Sequence, residues 1–415
     1  MMPRFSLIVP TRNRIKTLTE NLQRLTALAE TVPGGAEIIV ADNGSDDGTP
    51  ELVRSRFSQV RLIELEENRS TAARNVAAEH AAAPFLVMLD DDSYLDSASL
   101  ALMGRALEAD DELACVAARV ERAHPPGSHE GGGLPGVFIG CGAAIRGEVF
   151  AAVGGYPDDY GYYVEEYDFC FRMLQRGRRV RWFEDIVVCH ERSDENRDFN
   201  RIVRFLTRNN LRLWERYAPP GMRDAMLAET VERYARIARR ERAEVGYFQG
   251  IAEAAELLGA MDRAQPGPPD AADVRRLTRR EFDIVYGLDD ARRVVEERGV
   301  APSYKRPAVY ARGKGVEQLL DVCEDLGLRI ETLFDPHYVE QTQADYREHW
   351  RGRLVVPPAA ADRYRPDVLI VGSLSPGACR DLAREARRAF PSTAIVEPVV
   401  WAKAARSTST LCVGA

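Results

Sequence analysis

The chain has 415 residues, of which 45% are hydrophobic and 29% are charged, and its formal net charge is −8. This length exceeds what one ordinary hydrophobic core supports, so we predict two or three domains. The negative charge offers no overall attraction to nucleic acid or to an anionic membrane surface, and we expect no nucleic-acid partner.

Seven cysteines are scattered along the chain, and none of them forms a C-x-x-C pair. This pattern is typical of reduced thiols in a cytoplasmic protein rather than of a disulfide framework. A predicted strand begins at Phe5, and no run of 18 uninterrupted apolar residues occurs. We therefore expect neither a secretory signal nor a membrane span, and peripheral contact with a membrane stays open.

Strands and helices are predicted to alternate through the first 90 or so residues. The strands cover residues 5–9, 37–41, 60–64 and 85–89, and the leucines at spacings of three and four after the first strand indicate a helix. Polar residues follow these strands or lie on the next helix: Pro10, Thr11, Arg12, Asp42, Asn43, Arg74, Asp90, Asp91 and Asp92. Such repeated units predict a mainly parallel sheet between helices, and ligands bind such sheets beyond the carboxyl ends of the strands.

Three consecutive carboxylates end the fourth predicted strand. Asp90 and Asp92 point to the same side of an extended segment, because side chains alternate along a strand. Oxygen ligands so placed suit a hard cation, Mg²⁺ or Mn²⁺, that also takes phosphate oxygens of a substrate. The alternative is a solvated acidic turn in which Ser93 or Asp96 caps the next helix.

Taken together, the segments resemble family 2 inverting glycosyltransferases with the GT-A fold. The motifs that carry the resemblance are Val9-Pro-Thr-Arg-Asn13, Asp42-Asn-Gly-Ser45 with Asp47-Gly-Thr49, Asn68 with Ala72-Ala-Arg-Asn75, and Leu89-Asp-Asp-Asp92. Further along, Glu165-Glu-Tyr-Asp-Phe169 with Arg172 resembles the E-D-x-D-L-x-x-R helix of that family. His190 stands where many members have a histidine that completes metal coordination. A lone histidine after an apolar strand is also often a core residue.

The resemblance and the chemistry of these residue types together assign roles. Asp42 accepts from a pyrimidine N–H and Arg74 donates to a base carbonyl, in a nucleotide site with Pro10, Thr11, Arg12, Asn43, Asp90 and Asp91. Asp92, helped by Asp90 or Asp91 and His190, holds the metal that stabilises the departing nucleoside diphosphate. Glu166 is the expected general base, with Glu165 and Asp168 as competitors. The competitors stay open because the family more often carries Asp in place of Glu166.

The rest of the chain predicts a helical region and a second α/β domain. The expected domains are residues 1–215, 216–303 and 304–415. The last domain resembles a small Rossmann-like domain. Asp335 lies at about the sequence separation from the glycines that is expected of a residue contacting the ribose. Its glycine fingerprint is imperfect, however, since Gln318 takes the third place after Gly313 and Gly315. A regulatory, acceptor-positioning or assembly domain is therefore favoured over one that binds a dinucleotide.

The function predicted is transfer of a sugar from a nucleoside-diphosphate donor to a hydroxyl of a glycan, a lipid-linked, small-molecule or protein acceptor, with inversion and with Mn²⁺ or Mg²⁺. One alternative is an NAD(P)-dependent nucleotide-sugar oxidoreductase or epimerase centred on the C-terminal domain. Another is a non-catalytic nucleotide-sugar-binding scaffold. A sugar-1-phosphate nucleotidyltransferase is disfavoured because its glycine-rich, basic N-terminal loop is missing. Homo-oligomer formation stays open.

Overall fold

The computed structural model describes residues 2–192, 198–263, 275–301, 304–338 and 349–404. Its strands are β1 Phe5–Thr11, β2 Ala36–Asp42, β3 Val60–Glu64, β4 Phe85–Met88, β5 Ser93–Leu95, β6 Leu113–Arg122, β7 Ser128–His129, β8 Ala143–Arg146, β9 Arg179–His190, β10 Pro307–Tyr310, β11 Thr332–Phe334, β12 His349–Trp350, β13 Arg353–Val356, β14 Val368–Val371 and β15 Ala394–Val396. Its helices are α1 Ile15–Thr31, α2 Thr49–Arg56, α3 Ala73–Glu79, α4 Ser97–Glu108, α5 Gly147–Val153, α6 Glu165–Leu174, α7 Phe199–Tyr217, α8 Arg223–Glu241, α9 Glu244–Arg263, α10 Arg279–Tyr286, α11 Leu288–Gly299, α12 Val316–Asp325, α13 Ala361–Tyr364 and α14 Pro376–Ala389.

The larger sheet has the strand order β3-β2-β1-β4-β8-β6-β9-β5. Strands β1 to β4 pair in parallel, as their alternation with helices predicts. The apolar runs of β1, β2 and β4 are buried, and Leu7, Ile8 and Val9 are wholly inaccessible to solvent. Parallel strands end at the same edge, so the loops after β1, β2 and β4 share one rim of the sheet.

The sheet becomes mixed beyond β4, because β8 runs antiparallel to both β4 and β6. Strand β9 follows β6 in parallel across a bulge and returns to the rim. The short strand β5, directly after the acidic triplet, pairs antiparallel with the end of β9, so that Ser93 lies opposite His190. This pairing fixes His190 beside the carboxylates, a placement that strand periodicity alone does not give.

Helices α7, α8 and α9 pack together through a buried cluster made of Val203, Tyr234, Ala238, Ala243 and Tyr247. The backbones of α7 and α9 approach closely where α9 carries glycine. A Cβ on Gly246 would lie 2.0 Å from the Asn200 carbonyl oxygen, and one on Gly250 would lie 2.6 Å from that of Arg204.

The smaller sheet has the order β12-β13-β11-β10-β14-β15, with all pairs parallel except β12 with β13. By compactness, the segment Gly127–Gly136 belongs with residues Asp283–Lys403 in a second unit, whereas residues Met1–Pro126 and Val137–Phe282 form the first. Helices α8 and α9 thus group with the first unit and α11 with the second. The boundaries at residues 215 and 303 stay a prediction.

The described ranges contain six of the seven cysteines. Six cysteines are buried free thiols, and the seventh, Cys412, lies outside the described residues. Every helix within those ranges is too short or too polar to span a bilayer.

Candidate active site

The loops after β1 and β2 are joined by hydrogen bonds. The Asn13 N–H donates to the Ser45 hydroxyl oxygen at 2.8 Å, and the Asn13 side-chain carbonyl accepts from the Asp46 N–H at 2.9 Å. The Asp47 carboxylate accepts from the Ile15 N–H at 3.0 Å, at the start of α1. These hydrogen bonds hold the loop after β1 against the loop after β2. Pro10 is half-buried there and Arg12 is exposed.

Asp42 and Asn43, at the end of β2, are both buried. The Asp42 carboxylate accepts from the N–H of Ser45 at 2.9 Å and from its hydroxyl at 2.5 Å, which closes the turn. The Asn43 amide accepts from the Arg69 N–H at 3.0 Å and donates to the Ser70 carbonyl at 3.2 Å. Asn43 therefore ties the rim to the segment that leads into α3.

The acidic triplet is held by two neighbours from the first loop. Thr11 donates its hydroxyl to Asp91 at 2.8 Å. Arg14 lies 3.3 Å from the Asp91 carboxylate and donates to Asp92 at 2.8 Å. Burial raises the pKa of Asp91 to about 7, and the nearby Asp92 and Asp90 charges add to this, whereas Arg14 and Thr11 oppose it.

His190 faces the acidic triplet with one ring nitrogen and a thiol with the other. Its Nε2 lies 3.1 Å from Asp92 Oδ1 and 3.8 Å from Asp90 Oδ2, while its Nδ1 lies 3.7 Å from the Cys141 sulfur. Burial opposes ionisation of Asp92, but the hydrogen bond from His190 and the charges of His190 and Arg14 outweigh it and lower its pKa. One imidazole nitrogen and carboxylate oxygens suit Mn²⁺ or Mg²⁺. Ligand atoms of Asp90, Cys141 and His190 lie within 4.8 Å of one another, but the Cys141 thiol is a soft ligand that these hard ions do not favour.

Arg74, on α3, is a buried cation between two groups of carboxylates. It donates to the Leu89 carbonyl at 3.1 Å and to Asp90 in a shorter ion pair. The charges of Asp90, Glu165 and Glu166 outweigh the desolvation that opposes ionisation and raise the pKa of Arg74. In this structure Arg74 meets the protein's own groups, so its role as a donor to a nucleotide base stays a prediction.

Glu165 and Glu166 are the first two residues of α6, where the helix dipole favours negative charge. Burial raises the pKa of Glu165 well above its usual range, and the neighbouring Glu166 adds to this. Burial also raises the pKa of Glu166, with a contribution from Asp90, while the N–H groups of Glu166 and Gly140 and the Arg74 charge oppose it. Glu166 is half-buried, whereas Glu165 is buried.

Asp168, in the same helical turn, is fully engaged with side chains of its surroundings. It accepts from Arg172 at 2.6 Å and from the Tyr217 hydroxyl at 2.9 Å. Tyr160 lies within 3.4 Å and Arg216 within 3.8 Å of the same carboxylate. Asp168 therefore has the environment of a structural residue that links α6 to α7 and to the loop before α6.

The structure brings most of the residues predicted for the site to one rim of the larger sheet. The residues linked there by contacts or by close charge are Thr11, Arg74, Asp90, Asp91, Asp92, Glu165, Glu166 and His190. Sequence reasoning missed Arg14 and Cys141. Arg14 stands one residue beyond the Pro10-Thr-Arg-Asn13 loop and could have been included with it, but nothing in the sequence pairs Cys141 with His190.

Residues 6–132 match the family model described as glycosyl transferase family 2. The glycosyltransferase AglE of Haloferax volcanii is 37% identical over 97 residues, which is 22% of this chain and 31% of that protein. The validoxylamine A glucosyltransferase of Streptomyces hygroscopicus subsp. limoneus is 37% identical over 93 residues, which is 21% of this chain and 20% of that protein. The chain thus spans less than a third of the length of these relatives.

Solved structures are similar at lower sequence identity. The mannosyltransferase PcManGT of Pyrobaculum calidifontis, in complex with GDP-Man and Mn²⁺, is 22% identical, with a TM-score of 0.43 over 66% of this chain and 79% of that chain. A fragment of TarS from S. aureus, residues 1–349 in complex with UDP-GlcNAc, is 19% identical, with a TM-score of 0.43 over 56% of this chain and 72% of that chain.

The predicted fold class is confirmed. The larger sheet is a mixed α/β sheet of the GT-A-like kind, and a second, smaller sheet is present. The family match lies on the strands and loops that carry the acidic triplet, from β1 to the region beyond β6. The match over residues 6–132 therefore supports the predicted relationship to glycosyl transferase family 2.

Proposed function

We propose that this chain is a metal-dependent glycosyltransferase that moves a sugar from a nucleoside-diphosphate donor to an acceptor hydroxyl with inversion. The observation that carries the proposal is the arrangement around Arg74. This buried cation pairs with Asp90, and the charges of Glu165 and Glu166 also act on it. A carboxylate pair at a metal position and a carboxylate base are the groups that this reaction needs.

Asp90, Asp92 and His190 are the residues we assign to the metal. Their oxygen and nitrogen atoms lie 3.1 to 3.8 Å apart at the Nε2 face of the imidazole, and the donor chemistry suits a hard divalent ion. When bound, such an ion supplies positive charge to the leaving diphosphate. The metal requirement is supported further by the relative solved with GDP-Man and Mn²⁺, although that likeness concerns another protein.

Glu166 is the residue that we assign as general base. Its carboxylate accepts the proton of the acceptor hydroxyl as the oxygen attacks the anomeric carbon and the bond to the diphosphate oxygen breaks on the opposite face. Among its competitors, Glu165 is buried with a pKa well above the usual range, which favours its protonated form. Asp168 is held by Arg172 and Tyr217. Glu166 is the half-buried member of the three.

The second unit we propose to be a Rossmann-like domain with a non-catalytic role. Its strands β13-β11-β10-β14-β15 run parallel in an order that reverses direction at β10 and β14, where such domains bind ligands. Groups at that point contact the chain itself. Asp335 accepts from Arg312 at 2.6 Å, and the Gly131 and Gly132 carbonyls accept from Ser375 at 2.8 Å and from Lys314 at 3.0 Å. These contacts, with the imperfect fingerprint, favour an assembly or positioning role over the oxidoreductase alternative.

Calorimetric titration of the full chain with UDP, GDP, dTDP and CDP, each with and without Mn²⁺, tests the proposal, with NAD⁺ and NADP⁺ as further ligands. We expect metal-dependent binding of a nucleoside diphosphate and no dinucleotide binding. The D92A variant should lose the metal-dependent part of the affinity. Binding of NAD⁺ or NADP⁺ alone would reject the transferase in favour of the oxidoreductase.

The E166Q variant separates catalysis from binding. We expect it to keep the nucleotide affinity of the wild type and to lose about 10²-fold or more in the rate of sugar transfer or donor hydrolysis, because an amide cannot accept the proton. Nucleotide binding without turnover in the wild type, across a panel of acceptors, would favour the non-catalytic scaffold.

A further inference from the structure

The backbone turn directly before α6 has an unusual conformation. Tyr163 has φ 68° and Val164 has φ 76°, and both are left-handed. This region costs free energy for residues with a side chain, most of all for a β-branched valine. Two such residues in succession persist only where surrounding contacts hold them. The next two residues are Glu165 and Glu166, so this turn sets the direction in which both carboxylates leave the backbone.

One side chain holds most of this turn. The Asn209 amide nitrogen, on α7, donates to the carbonyl oxygens of Tyr160 at 3.0 Å, Tyr162 at 2.9 Å and Tyr163 at 2.8 Å. Asn209 is wholly inaccessible to solvent. Three carbonyls therefore share the two N–H groups of one buried amide.

Neighbouring groups fix the amide and the far side of the turn. The Arg208 Nε donates to the Asn209 side-chain oxygen at 2.8 Å, so partners on both sides determine which end of the amide faces the turn. Arg208 also donates to the Tyr160 carbonyl at 2.5 Å. Across the turn, the Gly161 carbonyl accepts from the Thr71 hydroxyl at 2.8 Å.

We propose that Asn209 is a positioning residue for the general base. By holding Tyr163 and Val164 left-handed, it keeps the start of α6 in the orientation in which the Glu166 carboxylate meets the Gly140 N–H. This inference rests on the proposed role of Glu166 and adds a residue that touches neither donor nor acceptor. Without the amide, the Tyr162 and Tyr163 carbonyls lose this donor, the turn relaxes toward right-handed or extended backbone, and the carboxylate moves.

The experiment compares N209A with a double variant that removes the backbone cost. Displacement of a catalytic group by about 1 Å can reduce turnover about 10²-fold, so N209A should lose on that order in kcat for nucleoside-diphosphate release from the sugar donor. Its affinity for the nucleoside diphosphate should stay within about twofold, because that site lies on other loops. Glycine adopts left-handed backbone without cost, and N209A/V164G should therefore recover at least about tenfold of the loss.

Two matched controls give the rescue its meaning. V164A removes the same methyl groups as V164G but keeps Cβ, so N209A/V164A should not recover. The neighbouring Asn210 is a second buried amide of α7, which donates to the Tyr234 hydroxyl at 2.9 Å and to the Leu206 carbonyl at 2.8 Å rather than to the turn. N210A should therefore gain nothing from V164G.

The positioning role is supported if V164G restores kcat and V164A does not, and if V164G does so in N209A and not in N210A. Normal kcat in N209A, equal recovery with V164A, or no recovery with V164G would overturn it. Should N209A fail to fold, the same comparison is made with N209S, whose single short hydroxyl cannot replace all three hydrogen bonds of the amide. Normal turnover in E166Q would overturn the assignment of Glu166 as base and this proposal with it, whereas absent turnover in the wild type would reject the proposed function itself.

Discussion

The buried Arg74 couples the metal position to the base position through charge alone. It carries one positive charge, whereas Asp90, Glu165 and Glu166 all act on it. Burial is the main cause of the raised pKa of both glutamates, and the positive charge of Arg74 opposes it only in part. Glu165 takes the larger part of this effect, because it is the more buried of the pair.

The pH dependence of turnover should report this environment. Burial and the Asp90 charge raise the pKa of Glu166 above its usual 4.5, and Arg74 and two backbone N–H groups only partly oppose them. A base works when deprotonated, so kcat/KM should fall as the pH falls through a midpoint above 4.5. The measurement is a pH profile of kcat/KM on the wild type. A limb at or below 4.5, or an unchanged limb in the residual activity of E166Q, would contradict the assignment.

Gly140 matters because the Glu166 carboxylate approaches its backbone. A Cβ at residue 140 would lie 2.7 Å from Glu166 Oε1, so G140A must displace the carboxylate. We expect a fall in kcat of about 10²-fold with nucleotide affinity retained. G147A is the matched control, because a Cβ there meets its nearest neighbour at an ordinary 3.4 Å. Equal effects of the two substitutions would remove Gly140 from the site.

Single residues differ in how far the sequence revealed them. The position of the acidic triplet at the rim of the sheet was predictable, because the triplet directly follows an apolar strand that alternates with helices. The contacts of Asn209 were not predictable from the sequence. Its partners are backbone carbonyls 46 to 49 positions away, and backbone carbonyls do not reveal in the sequence which polar side chain they meet. The left-handed Val164 was hidden for a related reason, because valine gives no sign of such a backbone.

At the scale of elements, α6 is fastened by the buried ion pair of Asp168. Arg172 donates to Asp168 at 2.6 Å and to the Gly155 carbonyl at 2.8 Å, and also to the Val153 carbonyl at the end of α5. Tyr217, at the end of α7, donates to the same carboxylate. The carboxylate thus joins α6 to α7 and, through Arg172, to the end of α5.

The D168N variant should lose stability. Breaking a buried ion pair costs about 3–5 kcal/mol of the free energy of unfolding, because it leaves the other charge uncompensated. Y217F removes one hydrogen bond and should cost about 1 kcal/mol. Urea unfolding of both variants measures the difference. If D168N is as stable as the wild type and yet inactive, Asp168 and not Glu166 is the better candidate for the base.

The parallel half of the larger sheet followed from the sequence more readily than the mixed half. The strand predicted over residues 60–64 is confirmed, those predicted over residues 5–9 and 37–41 are each two residues longer in the structure, and that predicted over residues 85–89 is one residue shorter. Strands β5, β6 and β8 carried no such prediction, since their pairings are antiparallel or bulged and lack the β-turn-α rhythm. The three-residue β5 is set by its partner β9, an interaction between distant segments that no local pattern encodes.

At the scale of the molecule, the second unit includes a segment from far upstream in the chain. His129 donates its backbone N–H to Asp381 at 2.9 Å, and its ring nitrogen lies 2.7 Å from the same carboxylate on α14. The segment leads within four residues from Gly136 to Gly140, whose N–H meets Glu166. Sequence reasoning placed the C-terminal domain from residue 304 onward, because a ten-residue contribution from residues 127–136 has no composition of its own.

The G377A substitution should detach the segment of residues 127–136 from α14. A Cβ at Gly377 would lie 2.0 Å from the Glu130 carbonyl oxygen and 3.0 Å from the His129 Cβ, so G377A forces residues 129 and 130 away from α14. The helix itself should not suffer, since alanine is the better helix former. Loss of a hydrogen bond to a charged group is worth about 1.5–3 kcal/mol, so amide exchange at His129 should become about tenfold faster or more.

Hydrogen exchange with peptide resolution on the full chain measures this change, with G147A as control. Unchanged exchange at residues 127–136 would mean that the segment is held mainly by contacts other than those with α14.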